Sequence, residues 1–180
     1  VATALLACAA NAPAHAQTVP QGPGQSMLVL DASGSMWGQI AGRALAGPFT
    51  LVNPKGETVT DAQVITKPTL VYFGYTFCPD VCPFDMNRNV EAVDLLDAQG
   101  WDVTPVFISI DPERDTPDAM GDYASNMHPK LIALTGTEEQ VKTASLAYKT
   151  YYKRQPSEDE FYLMDHSTFT YLMLPGEGFV

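Results

Sequence analysis

Residues 69–83 read Thr69-Leu-Val-Tyr-Phe-Gly-Tyr-Thr-Phe-Cys78-Pro-Asp-Val-Cys82-Pro83. The first half is a continuous run of apolar, strand-forming residues, which is typical of a strand buried on both faces. The second half places two cysteines where Pro83 predicts the first position of a helix. We therefore predict that a buried strand delivers two thiols to a helix N-terminus at the edge of a sheet.

The helix after the cysteines is predicted from the spacing of its apolar residues. Met86, Val90, Val93 and Leu96 share one helical face, and the pattern ends by Gly100. Unpaired N–H groups and the helix dipole stabilise negative charge at such an N-terminus. A thiol in that position loses its proton more easily, and the thiolate is both a nucleophile and a metal ligand. The spacing of the cysteines allows a disulfide or a single shared metal ion.

Composition restricts the class of protein. The chain has 180 residues, a formal net charge of -11 and 46% hydrophobic residues, which is typical of one globular domain with a real core. The excess of acidic over basic residues argues against a nucleic-acid partner, because the phosphate backbone is bound by positively charged surfaces. It is compatible with attraction of cations or of a basic protein.

The first 16 residues resemble a secretory signal peptide. A short apolar run is followed by Ala14-His15-Ala16, a small-residue cleavage pattern, and the run is too short to span a bilayer. We expect an exported, periplasmic protein, with association to the inner membrane left open. An alternative is lipid attachment at Cys8, where the sequence loosely resembles a lipobox. Cleavage after Ala16 is favoured and leaves Cys78 and Cys82, a pair that in an exported chain first suggests a disulfide.

Residues 17–46 are interpreted as a linker and a partial motif. Asp31, Ser33 and Ser35 resemble the first loop of a von Willebrand factor A-type domain, whose adhesion site binds Mg²⁺ through oxygen ligands. Such a site needs ligands from two later loops, and the sequence after residue 46 follows another pattern. We expect this fragment not to form a domain of its own.

The remaining sequence predicts an α/β domain at residues 47–180. Capping signals at Thr116-Pro117 and Thr137-Glu-Glu-Gln140 mark two helix starts. A strand after the cysteine-bearing helix completes a βαβ unit with parallel strands. The predicted elements are a hairpin within 49–60, a strand in the first half of 69–83, strands at 104–110, 131–134, 161–164 and 168–174, and helices from 83, 117 and 138, with residues 165–167 as a connection.

From Gly47 onward the chain resembles the Sco/SenC family of copper-binding assembly proteins. The motifs that carry the resemblance occur in the same order as in the family and extend over about three quarters of the chain. They are Gly-Pro-Phe-Thr-Leu at 47–51, the segment 72–83, Asp-Pro-Glu-Arg-Asp-Thr-Pro at 111–117, Leu-Thr-Gly-Thr at 134–137, and Asp165-His166 followed by Tyr171-Leu172, Pro175 and Phe179.

The resemblance implies a thioredoxin-like fold with an added N-terminal β-hairpin, and copper bound by Cys78, Cys82 and His166. The family normally continues into a further helix, so the resemblance also implies that the C-terminal helix is missing here. The implied task is maturation of the copper centre of cytochrome c oxidase, by copper delivery, by reduction of the target's cysteines, or both. The implied partner is the copper-bearing subunit of the oxidase or another copper-transfer protein. This favours a copper-binding chaperone over an enzyme and leaves a thiol–disulfide reductase activity open.

The residue chemistry is consistent with a metal site. Two thiolates and an imidazole suit Cu(I), and they hold Cu(II) with one further donor, although thiolates also favour Zn²⁺. Asp165 and Asp80 are weaker candidates for supporting the metal site. Asp80 is better explained as a turn residue after Pro79. Asp165 is adjacent to His166, and neighbouring side chains on a strand face opposite sides, which argues against a role for Asp165. The alternative is an exported thiol–disulfide oxidoreductase, in which Cys78 and Cys82 are catalytic and His166 has no role.

Overall fold

The computed structural model describes residues 30–31, 47–157 and 161–180. The signal-like segment 1–16, Cys8, Ser33 and Ser35 lie outside these residues, so the interpretations that rest on them stay predictions. Asp31 is described as part of a two-residue strand. None of the helices in the described ranges combines the length and the apolar character needed to cross a bilayer.

The described residues alternate between strands and helices, as predicted for an α/β domain. In chain order the elements are β1 (Leu30–Asp31), β2 (Thr50–Val52), β3 (Thr58–Thr60), α1 (Asp61–Val64), β4 (Thr69–Gly74), α2 (Val81–Asp97), β5 (Thr104–Ser109), α3 (Pro117–Met127), β6 (Ile132–Leu134), α4 (Glu138–Ala147), β7 (Tyr152–Arg154), β8 (Met164–His166), β9 (Phe169–Leu174) and β10 (Gly178–Phe179).

The main sheet has β4 near its centre. β4 pairs in parallel with β5, and β5 pairs in parallel with β6. On its other side β4 pairs antiparallel with β9, and the outer edge of β9 pairs with β1 and β10. The predicted βαβ unit is confirmed as β4–α2–β5, and the mixed sheet with its helices has the thioredoxin-like fold implied by the resemblance.

Two small hairpins lie outside the main sheet. The predicted N-terminal hairpin is confirmed as β2–β3, with Thr50 opposite Thr60. Its turn needs Gly56, whose φ of 78° is a left-handed conformation that glycine adopts without steric cost. The second hairpin pairs β7 with β8 and places Tyr152 opposite His166.

The capping signals predicted both later helices correctly. Thr116 caps α3 by accepting a hydrogen bond from the backbone N–H of Ala119. Thr137 and Gln140 form the predicted capping box at the start of α4. Local hydrogen bonds of this kind depend on residues three positions apart, so they can be read from sequence.

Two of the predicted boundaries are wrong. α2 begins at Val81, not at Pro83, because proline is tolerated anywhere in a first turn whose N–H groups have no partner within the helix. The strand predicted at 161–164 runs instead from Met164 to His166, so His166 ends β8 and does not lie in a connection between strands. The sequence did not predict the partner strand β7, since three residues that include Lys153 and Arg154 show no apolar alternation.

Gly74 sets how closely the cysteines approach the sheet. A Cβ atom added there would lie 2.8 Å from Cys82 Sγ and 2.9 and 3.0 Å from the buried rings of Phe107 and Tyr72. Contacts this short require neighbouring atoms to move. The end of β4 therefore packs against the start of α2 only because residue 74 lacks a side chain.

We expect Gly74→Ala to lower the free energy of unfolding by about 1–3 kcal/mol, because the new methyl group overpacks a buried contact. Chemical denaturation followed by circular dichroism measures this. Gly121→Ala is the matched control, since its Cβ would meet only Pro54 Cβ at 3.3 Å on the surface of α3. Equal unfolding free energies for Gly74→Ala and the unsubstituted protein would contradict the packing argument.

Candidate metal centre

The two cysteines lie where β4 leads into α2. Both are free thiols and both are buried, with 8% of Cys78 and 1% of Cys82 exposed. Asp80 occupies the N-cap position of α2 but makes no side-chain cap bond. Instead, the Cys78 sulfur accepts the backbone N–H of Cys82 at 3.5 Å. The sulfur thus takes the place of a capping oxygen at the positive end of the helix.

His166 reaches the thiols from β8. Its ring lies edge-on to Tyr72 and Tyr75, with centroid distances of 6.4 and 5.8 Å. Its Nδ1 is 2.9 Å from the carbonyl oxygen of Ser167, and a carbonyl oxygen only accepts, so Nδ1 carries a proton. In the neutral ring, Nε2 then offers a lone pair, and it lies 3.3 Å from Cys82 Sγ.

One ion can reach all three side chains. The Sγ atoms of Cys78 and Cys82 and a ring nitrogen of His166 lie within 4.8 Å of one another. Metal–sulfur and metal–nitrogen bonds of about 2.0–2.3 Å place an ion between donors at this separation after only a small closure. The fold therefore brings together the three residues that the sequence singled out.

The pKa values of the two thiols are shifted in opposite directions. The hydrogen bond from the Cys82 thiol lowers the pKa of Cys78 well below its ordinary value, although burial opposes this. The same contact with Cys78, together with burial, raises the pKa of Cys82. The sulfur pair therefore holds one proton and one negative charge, with the charge on the more accessible Cys78.

A buried carboxylate is joined to the site through Tyr72, whose ring lies edge-on to His166. Asp85 accepts a hydrogen bond from the Tyr72 hydroxyl at 3.0 Å, and burial raises the pKa of its carboxyl group. Sequence reasoning did not single out Asp85. Its position three residues after Cys82 was the available signal, because that spacing places both side chains on one helix face.

The charged turn after β5 is held by side-chain contacts. Arg114 Nε pairs with Asp111 Oδ2 at 2.5 Å. Asp115 bonds elsewhere: its carboxylate accepts the Thr76 hydroxyl at 2.5 Å and the Ser109 hydroxyl at 2.6 Å. Asp115 thus ties the cysteine-bearing loop to the end of β5.

The two weaker candidates are both exposed. Asp80 is exposed and makes no cap bond. Asp165 is exposed and accepts a hydrogen bond from Gln155 at 2.6 Å, while His166 beside it faces the thiols. The alternation of a strand thus turns Asp165 away from the site.

Apolar side chains form an exposed rim around the cysteines, which we call the aromatic rim: Phe77, Val81 and Phe84, exposed by 53%, 36% and 62%.

We expect Cys78 to stay reactive toward iodoacetamide down to about pH 5, because its lowered pKa keeps the thiolate populated where an ordinary thiol is protonated. The alkylation rate against pH, read by mass spectrometry on the metal-free protein, measures this. In Cys82→Ala the donor is lost, so the profile should move toward that of an ordinary thiol. Identical profiles for both proteins would show that Cys82 does not stabilise the charge.

Comparison with known sequences supports one family. The sequence model of the family described as SCO1/SenC matches residues 38–180, beginning before the motifs at Gly47. Protein SenC of Rhodobacter capsulatus is 56% identical over 140 residues, which are 78% of this chain and 63% of that protein. The mitochondrial SCO1 homolog of Homo sapiens is 45% identical over 139 residues, 76% of this chain and 46% of that protein. The chain thus spans less than two thirds of these curated relatives.

Solved structures agree with the sequence comparison. Arabidopsis thaliana ScoI with copper bound has a TM-score of 0.72 and 45% identity, covering 76% of this chain and 86% of that one. Yeast Sco1 with copper bound has a TM-score of 0.71 and 37% identity, covering 77% and 78%. Fold, motifs and family match coincide over the same residues, and the chain belongs to the SCO1/SenC family.

Proposed function

We propose that this protein binds copper through Cys78, Cys82 and His166 and serves in the maturation of the copper centre of cytochrome c oxidase. Copper is its cargo, which it delivers to a target, and it also reduces the target's cysteines where these are oxidised. The observation that carries the proposal is the convergence of two sulfurs and one imidazole nitrogen within 4.8 Å.

The donor set favours copper on chemical grounds. Two thiolates and one imidazole are soft ligands that suit Cu(I), and a site of three donors leaves room for a further ligand in the Cu(II) form. The sulfur pair already holds one negative charge on Cys78. The charge of the ion replaces the remaining thiol proton on Cys82, so binding releases a proton at this buried position.

Relatives support the same metal. The structures of Arabidopsis thaliana ScoI, Bradyrhizobium japonicum ScoI and yeast Sco1 are each described with copper bound. A further relative, BsSco, is described as a member of the Sco family of cytochrome c oxidase assembly proteins. These relatives are the basis for assigning copper over zinc and the oxidase as the destination.

The surface around the site suits a protein partner. The aromatic rim exposes Phe77, Val81 and Phe84 beside the buried sulfurs, and apolar groups clustered on a surface are typical of interaction sites. We propose that the copper-bearing subunit of the oxidase, or another copper-transfer protein, covers this rim during transfer. The proposed location is the periplasm, with residues 1–16 as the export signal and residues 47–180 as the folded domain.

A thiol–disulfide oxidoreductase is the second candidate. The observation in its favour is the opposite acidity of the two thiols, since an accessible thiolate beside a protonated partner is suited to attack on a disulfide. In that reaction both thiols are oxidised to one disulfide, and two electrons and two protons pass to the target. The role of His166 separates the two candidates.

We expect His166→Ala to weaken copper affinity by more than about tenfold, because even groups that only orient a ligand contribute that much. Competition with a chelator measures Cu(I), and the sulfur-to-copper charge-transfer absorption of the Cu(II) form should also be lost. His128→Ala is the matched control, since this histidine bonds Asp94 on the far end of α2. Unchanged affinity in His166→Ala would remove the third ligand.

For the redox role, we expect His166→Ala without metal to reduce a target disulfide, whereas Cys78→Ala and Cys82→Ala cannot, because the electrons come from the dithiol. The reduced fraction of an oxidised copper-site peptide of the oxidase, read by alkylation and mass spectrometry in chelator-treated buffer, measures this. Wild-type protein that reduces the peptide but takes up no copper would favour the second candidate over the first.

A further inference from the structure

His166 is carried by an element separate from the main sheet. The hairpin β7–β8 is internally bonded: the Ser167 N–H donates to the Tyr151 carbonyl, and the Gln155 N–H donates to the Leu163 carbonyl, both at 2.9 Å. Toward the cysteine loop, the backbone N–H of Met164 donates to the Tyr75 hydroxyl at 3.2 Å. The position of His166 therefore depends on how this hairpin is attached to the rest of the domain.

Tyr162 is the buried anchor of the hairpin. Its neighbours Phe161 and Leu163 are 85% and 43% exposed, whereas Tyr162 is 4% exposed. Its hydroxyl donates to Asp111 Oδ1 at 2.6 Å and lies 3.3 Å from Glu113 Oε2. Both acceptors belong to the turn after β5, so one hydroxyl joins the hairpin to the main sheet.

Two arginines hold the ring of Tyr162. The guanidinium carbons of Arg114 and Arg154 each lie 3.6 Å from the ring centroid, which is close contact for a cation over an aromatic face. Arg114 also pairs with Asp111, and Arg154 pairs with Glu113 at 2.9 Å. Arg154 comes from the hairpin and Arg114 from the turn, so the Arg154–Glu113 pair and the contact of Arg114 with the Tyr162 ring both join these two elements.

We propose that Tyr162, with Asp111, Glu113, Arg114 and Arg154, is a latch that keeps His166 on the sulfur pair and thereby limits the rate at which copper leaves. Tyr162 is a positioning residue and does not touch the ion. The proposal rests on the proposed function. In release, the bond from copper to Nε2 breaks first and a donor of the acceptor takes its place. The two copper–sulfur bonds are then exchanged for further donors of the acceptor, Cys82 regains its proton, and the oxidation state of the ion is unchanged.

The latch is also in contact with the surface proposed for the partner. The Arg114 guanidinium carbon lies 4.8 Å from the ring of Phe77 and 5.6 Å from the ring of Tyr75. Phe77 belongs to the exposed aromatic rim, and Tyr75 bonds the hairpin backbone. A protein that covers Phe77 therefore contacts a side chain that packs against Arg114, which in turn holds Tyr162, and this connects docking to release.

The test is Tyr162→Phe in the full chain loaded with Cu(I). This change removes the hydroxyl and keeps the ring between the two arginines. We expect transfer to excess bicinchoninate to be about tenfold faster, the size expected for one hydrogen bond to a charged acceptor. Tyr151→Phe is the matched control: the same substitution on the same hairpin, at a side chain that is 56% exposed, should leave the rate unchanged.

A second comparison shows whether the effect acts through His166. In a His166→Ala background, Tyr162→Phe should add no further acceleration, because the ligand that the latch positions is already gone. An equal acceleration in both backgrounds would overturn the latch, and so would a Tyr162→Phe protein that releases copper at the wild-type rate.

Amide exchange of the metal-free protein separates this proposal from the proposed function. We expect the Met164 amide to exchange faster in Tyr162→Phe than in Tyr151→Phe, since the hairpin opens more often. Equal exchange would overturn the latch even if copper binds as proposed. Wild-type protein that takes up no copper would overturn the proposed function and the role of the latch in copper release.

Discussion

The contact of His166 Nε2 with Cys82 Sγ at 3.3 Å joins residues that are 84 positions apart in the chain. Strand register makes this contact possible. β9 pairs antiparallel with β4, and Thr170 lies opposite Tyr72. The chain just before β9 therefore meets the end of β4, where the cysteine loop begins. A slip of one residue in this register would turn every side chain of β9 to the other face and move His166 with it.

The site combines burial with negative charge. Asp85 and Asp115 are buried and burial raises the pKa of each, yet both accept hydrogen bonds, from Tyr72 in one case and from Thr76 and Ser109 in the other. These bonds offset part of the cost of burying a carboxyl group. Asp85 is joined to the site through Tyr72, whose ring lies edge-on to His166, and Asp115 holds the cysteine loop through Thr76. The sulfur pair itself carries one negative charge. A cation that enters this region meets donors already placed and a local charge of the opposite sign.

Local signals predicted the elements that depend on nearby residues. The apolar run at 69–74, the stripe of Met86 and Val93, and the caps at Thr116 and Thr137 each identified a strand or helix that the structure contains. The start of α2 was misplaced, and the short elements α1 and β7 were missed. Three- and four-residue elements are too brief for a periodic pattern, and β7 forms because β8 lies beside it.

By itself, the sequence determined the α/β order, the two thiols at a helix start and the motifs that point to one family. These properties follow from residue spacing and from capping bonds that span a few positions. Only the tertiary structure decided that Gly74 lets the helix approach the sheet, that Asp85 accepts the Tyr72 hydroxyl, and that Tyr162 attaches the hairpin to the turn after β5. Each of these contacts joins side chains far apart in sequence, and packing of the whole domain selects which of them meet.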